Sequence, residues 1–309
     1  MFLAHLDPTT WEIRNSVKNP HNGLLISPTL YVFGDLCVDI VALPRSMPRP
    51  GEEATLDRLD IVCGGAAFNC AVAAAKAGAP RVKLLGLVGE DEFGTTLVRQ
   101  LQANGVDTSL VQTHSGRTGT VLSIASPDGD RTLYSYRGVN AEQYLSLPEL
   151  NRGDYVYLSG YSLQEASSRL PALELKEQAR VKGAICLLDP SFQSAAALAD
   201  SDFLHGLDWI TPNATEARLI TGGTDPTLLR AMGVANAVVT LGADGCAVAT
   251  ESMKTSIPAI PVSVAHTTGA GDAFCGGLLA ALIDDRGPAE AALRGNRAAA
   301  SAIAHNRSQ

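Results

Sequence analysis

The chain has 309 residues, 46% of them hydrophobic and 18% charged, a mix that fits an ordinary globular core and excludes a disordered chain. Acidic residues outnumber basic ones, 32 to 24, for a formal net charge of -8. Such a chain lacks the broad basic surface with which proteins release counterions from nucleic acid.

The start, Met-Phe-Leu-Ala-His-Leu-Asp-Pro, has no basic segment followed by an apolar stretch, so a signal peptide is not expected. No apolar run reaches the length of a bilayer span. The six cysteines (Cys37, Cys63, Cys70, Cys186, Cys246 and Cys275) form no Cys-x-x-Cys pair, which argues against zinc and a disulfide framework. A reduced, cytoplasmic setting with no membrane partner is expected.

Residues 1–28 read as a polar N-terminal arm, with a short helix near 10–17. The apolar run 31–33 ends at Gly34 and predicts a first strand. Pro44, Pro48 and Pro50 make 43–51 a loop, and 53–63 alternates as a strand. Gly64-Gly65 opens an alanine-rich helix over 66–77 that Gly78 stops. A buried strand follows at 82–88, then an amphipathic helix over 93–104. Residues 120–124 and 132–136 flank Pro127-Asp128-Gly129-Asp130, the pattern of a β-hairpin. Strands at 155–158, 185–188, 209–211 and 237–240 alternate with helices at 165–182 and 215–221. Segments 248–250 and 256–257 suit a second hairpin, and 272–283 and 288–305 suit closing helices.

This alternation predicts an α/β fold with a mainly parallel sheet covered on both faces. The strand at 53–63 and the hairpin do not fit the alternation and predict a small separate sheet. No repeat or long linker divides the chain. Residues 29–309 therefore form one domain, with lid segments at about 39–63 and 118–137.

The chemistry concentrates in Thr267-Thr268-Gly269-Ala270-Gly271-Asp272, at a loop-to-helix junction. Small residues admit a ligand close to the backbone, and the first N–H groups of a helix favour an anion. Gly269, Ala270, Gly271 and Asp272 thus form an anion pocket. An acid there would repel a resting phosphate, but it makes sense as a base taking a proton from an attacking hydroxyl. The bland reading is that Asp272 only caps the helix. Nothing here matches a Walker A loop or a complete dinucleotide fingerprint.

Other segments tip the balance. Gly34-Asp35-Leu36-Cys37-Val38-Asp39, Gly64-Gly65-Ala66-Ala67-Phe68-Asn69 and the stretch from Gly86 to Gly94 occur in an order that resembles the ribokinase-like (PfkB-type) carbohydrate kinases. So do Thr211-Pro212-Asn213-Ala214-Thr215-Glu216, Thr240-Leu241-Gly242-Ala243-Asp244-Gly245 and the run ending at Asp272. The resemblance implies a ribokinase-like three-layer α/β/α fold with a small β-sheet lid. It implies ATP-dependent phosphorylation of a sugar hydroxyl, with Asp272 as base. Asp39, Gly64, Gly65 and Asn69 would hold the sugar. Asn213, Glu216, Thr240, Gly242, Gly245 and Asn296 would serve ATP, with Glu216 acting on Mg2+ through bound water. Arg137, at the end of a lid strand, would clamp a phosphate or an acidic sugar.

Each residue keeps a plainer alternative: Asp39 as a turn residue, Asn69 as a polar helix residue, Glu216 paired with Arg218, and Arg137 solvated. The family usually has an Asp where this chain has His266, so activation by a monovalent cation is expected to be weak or absent. Relatives also extend past Ala304-His305, which puts the adenine pocket in question. The exposed lid edges suit a homodimer. Rival readings are a nucleoside kinase, with Tyr134, Tyr136 and Tyr161 as base-stacking candidates, and a catalytically silent sugar sensor. The segment Tyr134-Ser135-Tyr136-Arg137 resembles lid segments of keto-deoxy sugar acid kinases, so the small-molecule partner is a sugar or a sugar acid.

Overall fold

The computed structural model describes residues 27–125, 131–142, 145–264 and 267–304. The expected short helix near 10–17, His266 and the last five residues lie outside the described residues.

In chain order, β1 (Leu30–Phe33) leads into β2 (Cys37–Pro44) and β3 (Leu56–Gly64). Next come α1 (Ala66–Lys76), β4 (Val82–Gly89), α2 (Glu92–Ala103) and β5 (Asp107–His114). The chain then forms β6 (Gly119–Ala125) and β7 (Arg131–Tyr136). It continues through β8 (Tyr155–Ser159), α3 (Ala166–Lys182), β9 (Ile185–Asp189), α4 (Phe192–Ala199) and β10 (Trp209–Ile210). The remainder is α5 (Ala214–Thr221), α6 (Pro226–Ala231), β11 (Asn236–Thr240), β12 (Cys246–Ala249), β13 (Lys254–Ile257), α7 (Ala270–Ile283) and α8 (Pro288–Ala304).

Nine strands form the main sheet in the order β13-β12-β11-β10-β9-β8-β1-β4-β5. All neighbours are parallel except around β12, which runs antiparallel to both β11 and β13. A strand's side chains alternate between faces, and here both faces are apolar. Leu30 and Val32 join one core with Leu84, Tyr157, Leu97, Phe274 and Leu278. Tyr31 and Phe33 join the other with Leu85, Leu158, Leu175, Leu198 and Ile220. Helices α1, α2, α7 and α8 cover the first face, and α3 to α6 cover the second. The result is a three-layer α/β/α body. Phe33 is fully buried, so truncating it to Ala would cost about 3–5 kcal/mol.

The small sheet has the order β3-β2-β6-β7. Its register fixes which residues share a face. Asp39 stands level with Val62 and Val121, and Val121 with Ser135. The adjacent row, Ile61, Ile40, Leu122 and Tyr134, points to the opposite face.

Strands β2 and β5 and helices α4 and α6 were not apparent from periodicity. β2 ends among prolines that mask it, and its register shifts between Leu43 and Pro44. β5, Asp-Thr-Ser-Leu-Val-Gln-Thr-His, is an edge strand with few fully covered side chains, so it carries little apolar signal. Helix α4 is marked instead by a capping box, Ser191 with Ser194.

Glycines set the position of α7. A Cβ at Gly277 would lie 2.6 Å from the Ala298 Cβ, and one at Gly295 would lie 2.7 Å from the Phe274 ring. A Cβ at Gly276 would press to 2.7 Å from the Ala74 nitrogen of α1. Three close approaches therefore seat α7 between α1 and α8 and aim its N-terminus at the carboxyl ends of the parallel strands.

Candidate active site

Parallel α/β sheets bind ligands beyond the carboxyl ends of their strands, and the predicted residues gather there. The Gly64-Gly65 turn joins lid to body. Gly65 has φ 96°, and a Cβ on it would lie 2.9 Å from the Cys37 nitrogen and closer still to the Asp35 carbonyl oxygen. Only glycine fits. A Cβ at Gly64 would sit 2.7 Å from Asp39 Oδ2, so the bare backbone there leaves the Asp39 carboxylate its room. Burial pushes the Asp39 carboxyl up to about 6.

Helix α7 begins at Gly269, whose φ of 78° is left-handed and which caps the helix without a side chain. Asp272 is therefore not the cap. It lies three residues further on, and its Oδ2 accepts a hydrogen bond from Asn69 Nδ2 at 2.9 Å. Asn69 comes from α1, so the two packed helices bring the carboxylate and its hydrogen-bond donor together. Burial raises the Asp272 carboxyl to about 6, the Asn69 hydrogen bond holds it down, and Asp39 raises it. The backbone around Asp272 is open on one side: a Cβ on Gly271 would meet nothing within 4 Å. The Ala270 N–H turns back to the Thr267 carbonyl at 3.3 Å.

At the start of α5, Asn213 and Glu216 form a reciprocal capping box. Asn213 Oδ1 accepts from the Thr215 and Glu216 N–H groups at 2.9 and 3.0 Å, and Glu216 Oε2 accepts from the Asn213 N–H at 2.9 Å. Glu216 thus turns inward rather than pairing with Arg218, whose Nη1 donates to the Ala214 carbonyl. Burial pushes the Glu216 carboxyl up to about 7, against the Asn213 hydrogen bonds, and Asp272 adds to the rise. Thr240 bridges to Asn213, placing β11's end beside this box. Gly242 and Gly245 take positive φ, 61° and 89°, in the turn that follows. Asn296 Nδ2 donates to the Pro258 and Ile257 carbonyls at 3.0 and 3.3 Å, so its amide ties down the segment leaving β13.

A model of the family described as pfkB family carbohydrate kinase matches residues 27–309. The chain belongs to the PfkB family. It is similar to ribokinase of Haemophilus influenzae, 30% identical over 287 residues, 89% of this chain and 92% of that protein. Its fold matches that of Thermotoga maritima ribokinase with a TM-score of 0.76, at 22% identity over 91% of this chain and 94% of the other. Aminoimidazole riboside kinase of Salmonella enterica, solved with aminoimidazole riboside and an ATP analogue, matches with a TM-score of 0.73, 26% identity and coverage of 90% and 94%. This PfkB protein is an ATP-dependent carbohydrate kinase with the ribokinase fold.

Three findings about the kinase were not legible in its motifs. Arg137 does not stand free as a clamp. Its Nε and Nη2 donate to both oxygens of Asp35, at 2.9 and 2.8 Å. Asp189, at the end of β9, is a half-buried acid that accepts from the Tyr157 hydroxyl at 3.0 Å and the Thr211 hydroxyl at 3.4 Å. Burial, reinforced by Asp272 and Glu216, raises it well above the usual carboxylate range. An acid directly after an apolar strand and before Pro190 was the available signal. Finally, Asp91 in the 86–94 stretch caps α2 through the Gly94 N–H and also accepts from the Thr118 N–H and hydroxyl. That motif braces the passage into the lid.

The register also bears on Tyr134 and Tyr136. Both flank Ser135, which shares Asp39's face, so both point away from it. Tyr161, on the turn after β8, stays near the site. Burial raises its hydroxyl to about 12, and Asp272, Asp189, Glu216 and Asp35 add to the rise.

Proposed function

We propose that this kinase transfers the γ-phosphoryl group of ATP to a hydroxyl of a neutral sugar, with Asp272 as the general base. The observation that carries this is the Asp272 carboxylate, fixed by Asn69 in the first turn of α7 and facing the Asp39 side of the cleft. Asp39, the Gly64-Gly65 turn and Asn69 hold the sugar. Asp272 orients the acceptor hydroxyl and takes its proton as the hydroxyl oxygen attacks phosphorus. The bond from the γ-phosphorus to the bridging oxygen breaks, and ADP leaves with that electron pair. The N–H groups of Gly269, Gly271 and Asp272 face the charge on the transferring group, and the helix dipole adds to them. Ala270 contributes its small size rather than its N–H. With a pKa near 6, Asp272 is mostly ionised at neutral pH and ready to accept.

Mg2+ fits this donor set. Among the described residues no cluster of three acids, histidines or cysteines forms a cage, and Glu216 supplies one inward carboxylate. Magnesium binds well in such sites, keeping much of its water. Glu216 would hold it through a water, and when bound it neutralises charge on the ATP phosphates. Thr240, Gly242, Gly245 and Asn296 shape the nucleotide side through the backbone. Activation by potassium is weak in this reading because His266 offers no hard oxygen ligand; a several-fold gain in potassium over tetramethylammonium contradicts it.

A neutral acceptor is favoured over a sugar acid by charge. Burial raises the carboxyl pKa of both Asp39 and Asp272, and Asp39 adds to the rise at Asp272, so a further negative charge between them is disfavoured. Arg137's charge is met by Asp35. A nucleoside remains the second reading, carried by Tyr161, a partly exposed ring whose hydroxyl feels the charges of Asp272, Asp189 and Glu216. The six cysteines are all free. No described helix is long and apolar enough to cross a membrane. The lid's outer face exposes Ile61, Leu122 and Tyr134 and suits pairing with a second lid. Ile61→Glu should then convert dimer to monomer in sedimentation, and an unchanged mass removes this pairing.

The deciding experiment is an ATP-dependent phosphorylation screen over pentoses, hexoses, sugar acids and nucleosides. Turnover confined to neutral sugars supports the proposal. Turnover of sugar acids or nucleosides alone redirects it, and ligand binding without any turnover points to a sensor.

A further inference from the structure

The chain crosses between body and lid four times: before β2, after β3, before β6 and after β7. All four crossings meet at one small knot of residues. Asp35, buried, sits in the first crossing and receives both donors of Arg137 from the fourth. Arg137 Nη2 also reaches the Asn140 carbonyl at 3.3 Å. Asn140, with no exposed surface, clasps the backbone of Leu36 at two points: Nδ2 donates to the Leu36 carbonyl at 2.8 Å, and Oδ1 accepts from the Leu36 N–H at 3.1 Å.

The other two crossings close on the same spot. A Cβ at Gly119, in the third crossing, would come 2.8 Å from Cys37 Sγ and 2.9 Å from the Leu36 carbonyl, and nearer still to Asn140 Nδ2. In the second crossing, Gly65 backs onto the Asp35 carbonyl and lies 2.9 Å, from its Cβ position, off the Cys37 nitrogen. The turn bearing Asn140 is itself anchored to the body. The Val139 N–H donates to the Arg117 carbonyl at 3.0 Å, and the Ser167 hydroxyl donates to the Ala141 carbonyl.

We infer that Arg137 and Asn140 are positioning residues that pin the lid hinge at Asp35-Leu36, so that β2 presents Asp39 to the acceptor at a fixed distance from Asp272. Asp39 is four residues beyond Asp35 on the strand the clasp holds. Arg137 acts through Asp35 and not on the sugar. Its buried Nη1 has no hydrogen-bond partner among the described residues.

The inference about positioning rests on the kinase reading, but its first test does not. Hydrogen–deuterium exchange is compared in wild type, Arg137→Gln, Asp35→Asn, Asn140→Asp and the Arg137→Gln/Asp35→Asn pair. Amides of β2, β3, β6 and β7 should exchange about tenfold faster or more in each single variant, with β8 to β11 unchanged. The double variant, whose two amides can bond each other, should recover part of the protection. Equal acceleration through the whole sheet, or an unaltered lid, overturns the inference. Should Arg137→Gln fail to fold, Arg137→Lys and Asn140→Asp supply the same comparison.

The second readout is kinetic, with D-ribose and D-fructose as acceptor probes. Arg137→Gln and Asp35→Asn should both raise the sugar KM about tenfold while the ATP KM stays within about threefold. If Arg137→Gln alone raises it and Asp35→Asn does not, Arg137 is a direct ligand and the clasp is wrong. Wild-type turnover of these probes tests the kinase reading separately.

Discussion

Asn69 Nδ2 donates to Asp272 Oδ2 at 2.9 Å, across 203 residues of chain. This bond does two things to the proposed base. It fixes the carboxylate's direction, and it holds down a pKa that burial and Asp39 push up. Asn69→Ala removes both. The kcat should fall roughly 10–100-fold, and the acid limb of the kcat/KM profile, near pH 6 in wild type, should move to higher pH. A pH–rate profile that keeps its acid limb in place would show that Asn69 does not act on the base.

Gly271 separates the roles of fold and anion pocket. It is the second residue of α7, and a Cβ there meets nothing in the protein. Alanine also suits a helix better than glycine, by about 1 kcal/mol. Gly271→Ala should therefore keep or raise Tm while lowering ATP turnover about tenfold or more, because the methyl group stands where the phosphoryl group approaches. Undiminished turnover places the phosphate elsewhere.

Asp272 should cost stability. Its folded pKa of about 6 lies above the usual carboxylate value, so the folded state holds its proton more tightly than the unfolded state. Between about pH 4 and 6 the folded protein carries the extra proton, and stability falls as pH rises through that window. Above pH 6 the full cost is present. Asp272→Asn removes it, with a gain on the order of 1–2 kcal/mol at pH 7.5 that shrinks toward zero near pH 4. Thermal melts at both pH values measure this. A variant less stable at pH 7.5 contradicts the raised pKa.

The motifs pointed to the candidate site, because each lies where a strand or lid segment meets a loop. Asp272 stood out by its place in a glycine-rich loop-to-helix junction, while Asp39, Gly64 and Gly65 were readable through the resemblance to the family's motifs. What they touch was not. The Asn69–Asp272 bond depends on how α1 packs on α7, which is set by Gly276 and its absent side chain. Arg137 looked like a free cation because its partner, Asp35, lies 102 positions earlier. Asp189 stayed hidden because a lone acid after a strand reads as a turn residue. Strand β5 was missed for a related reason: at a sheet edge, pairing and not apolar pattern makes the strand.

The central claim is that Asp272 takes the proton of the attacking hydroxyl. It is tested by assaying Asp272→Asn on the acceptor that the phosphorylation screen identifies, with folding checked by thermal melt. The account predicts a kcat at least about a hundredfold below wild type, with a Tm that is equal or higher. A well-folded variant that loses less than about tenfold would contradict it.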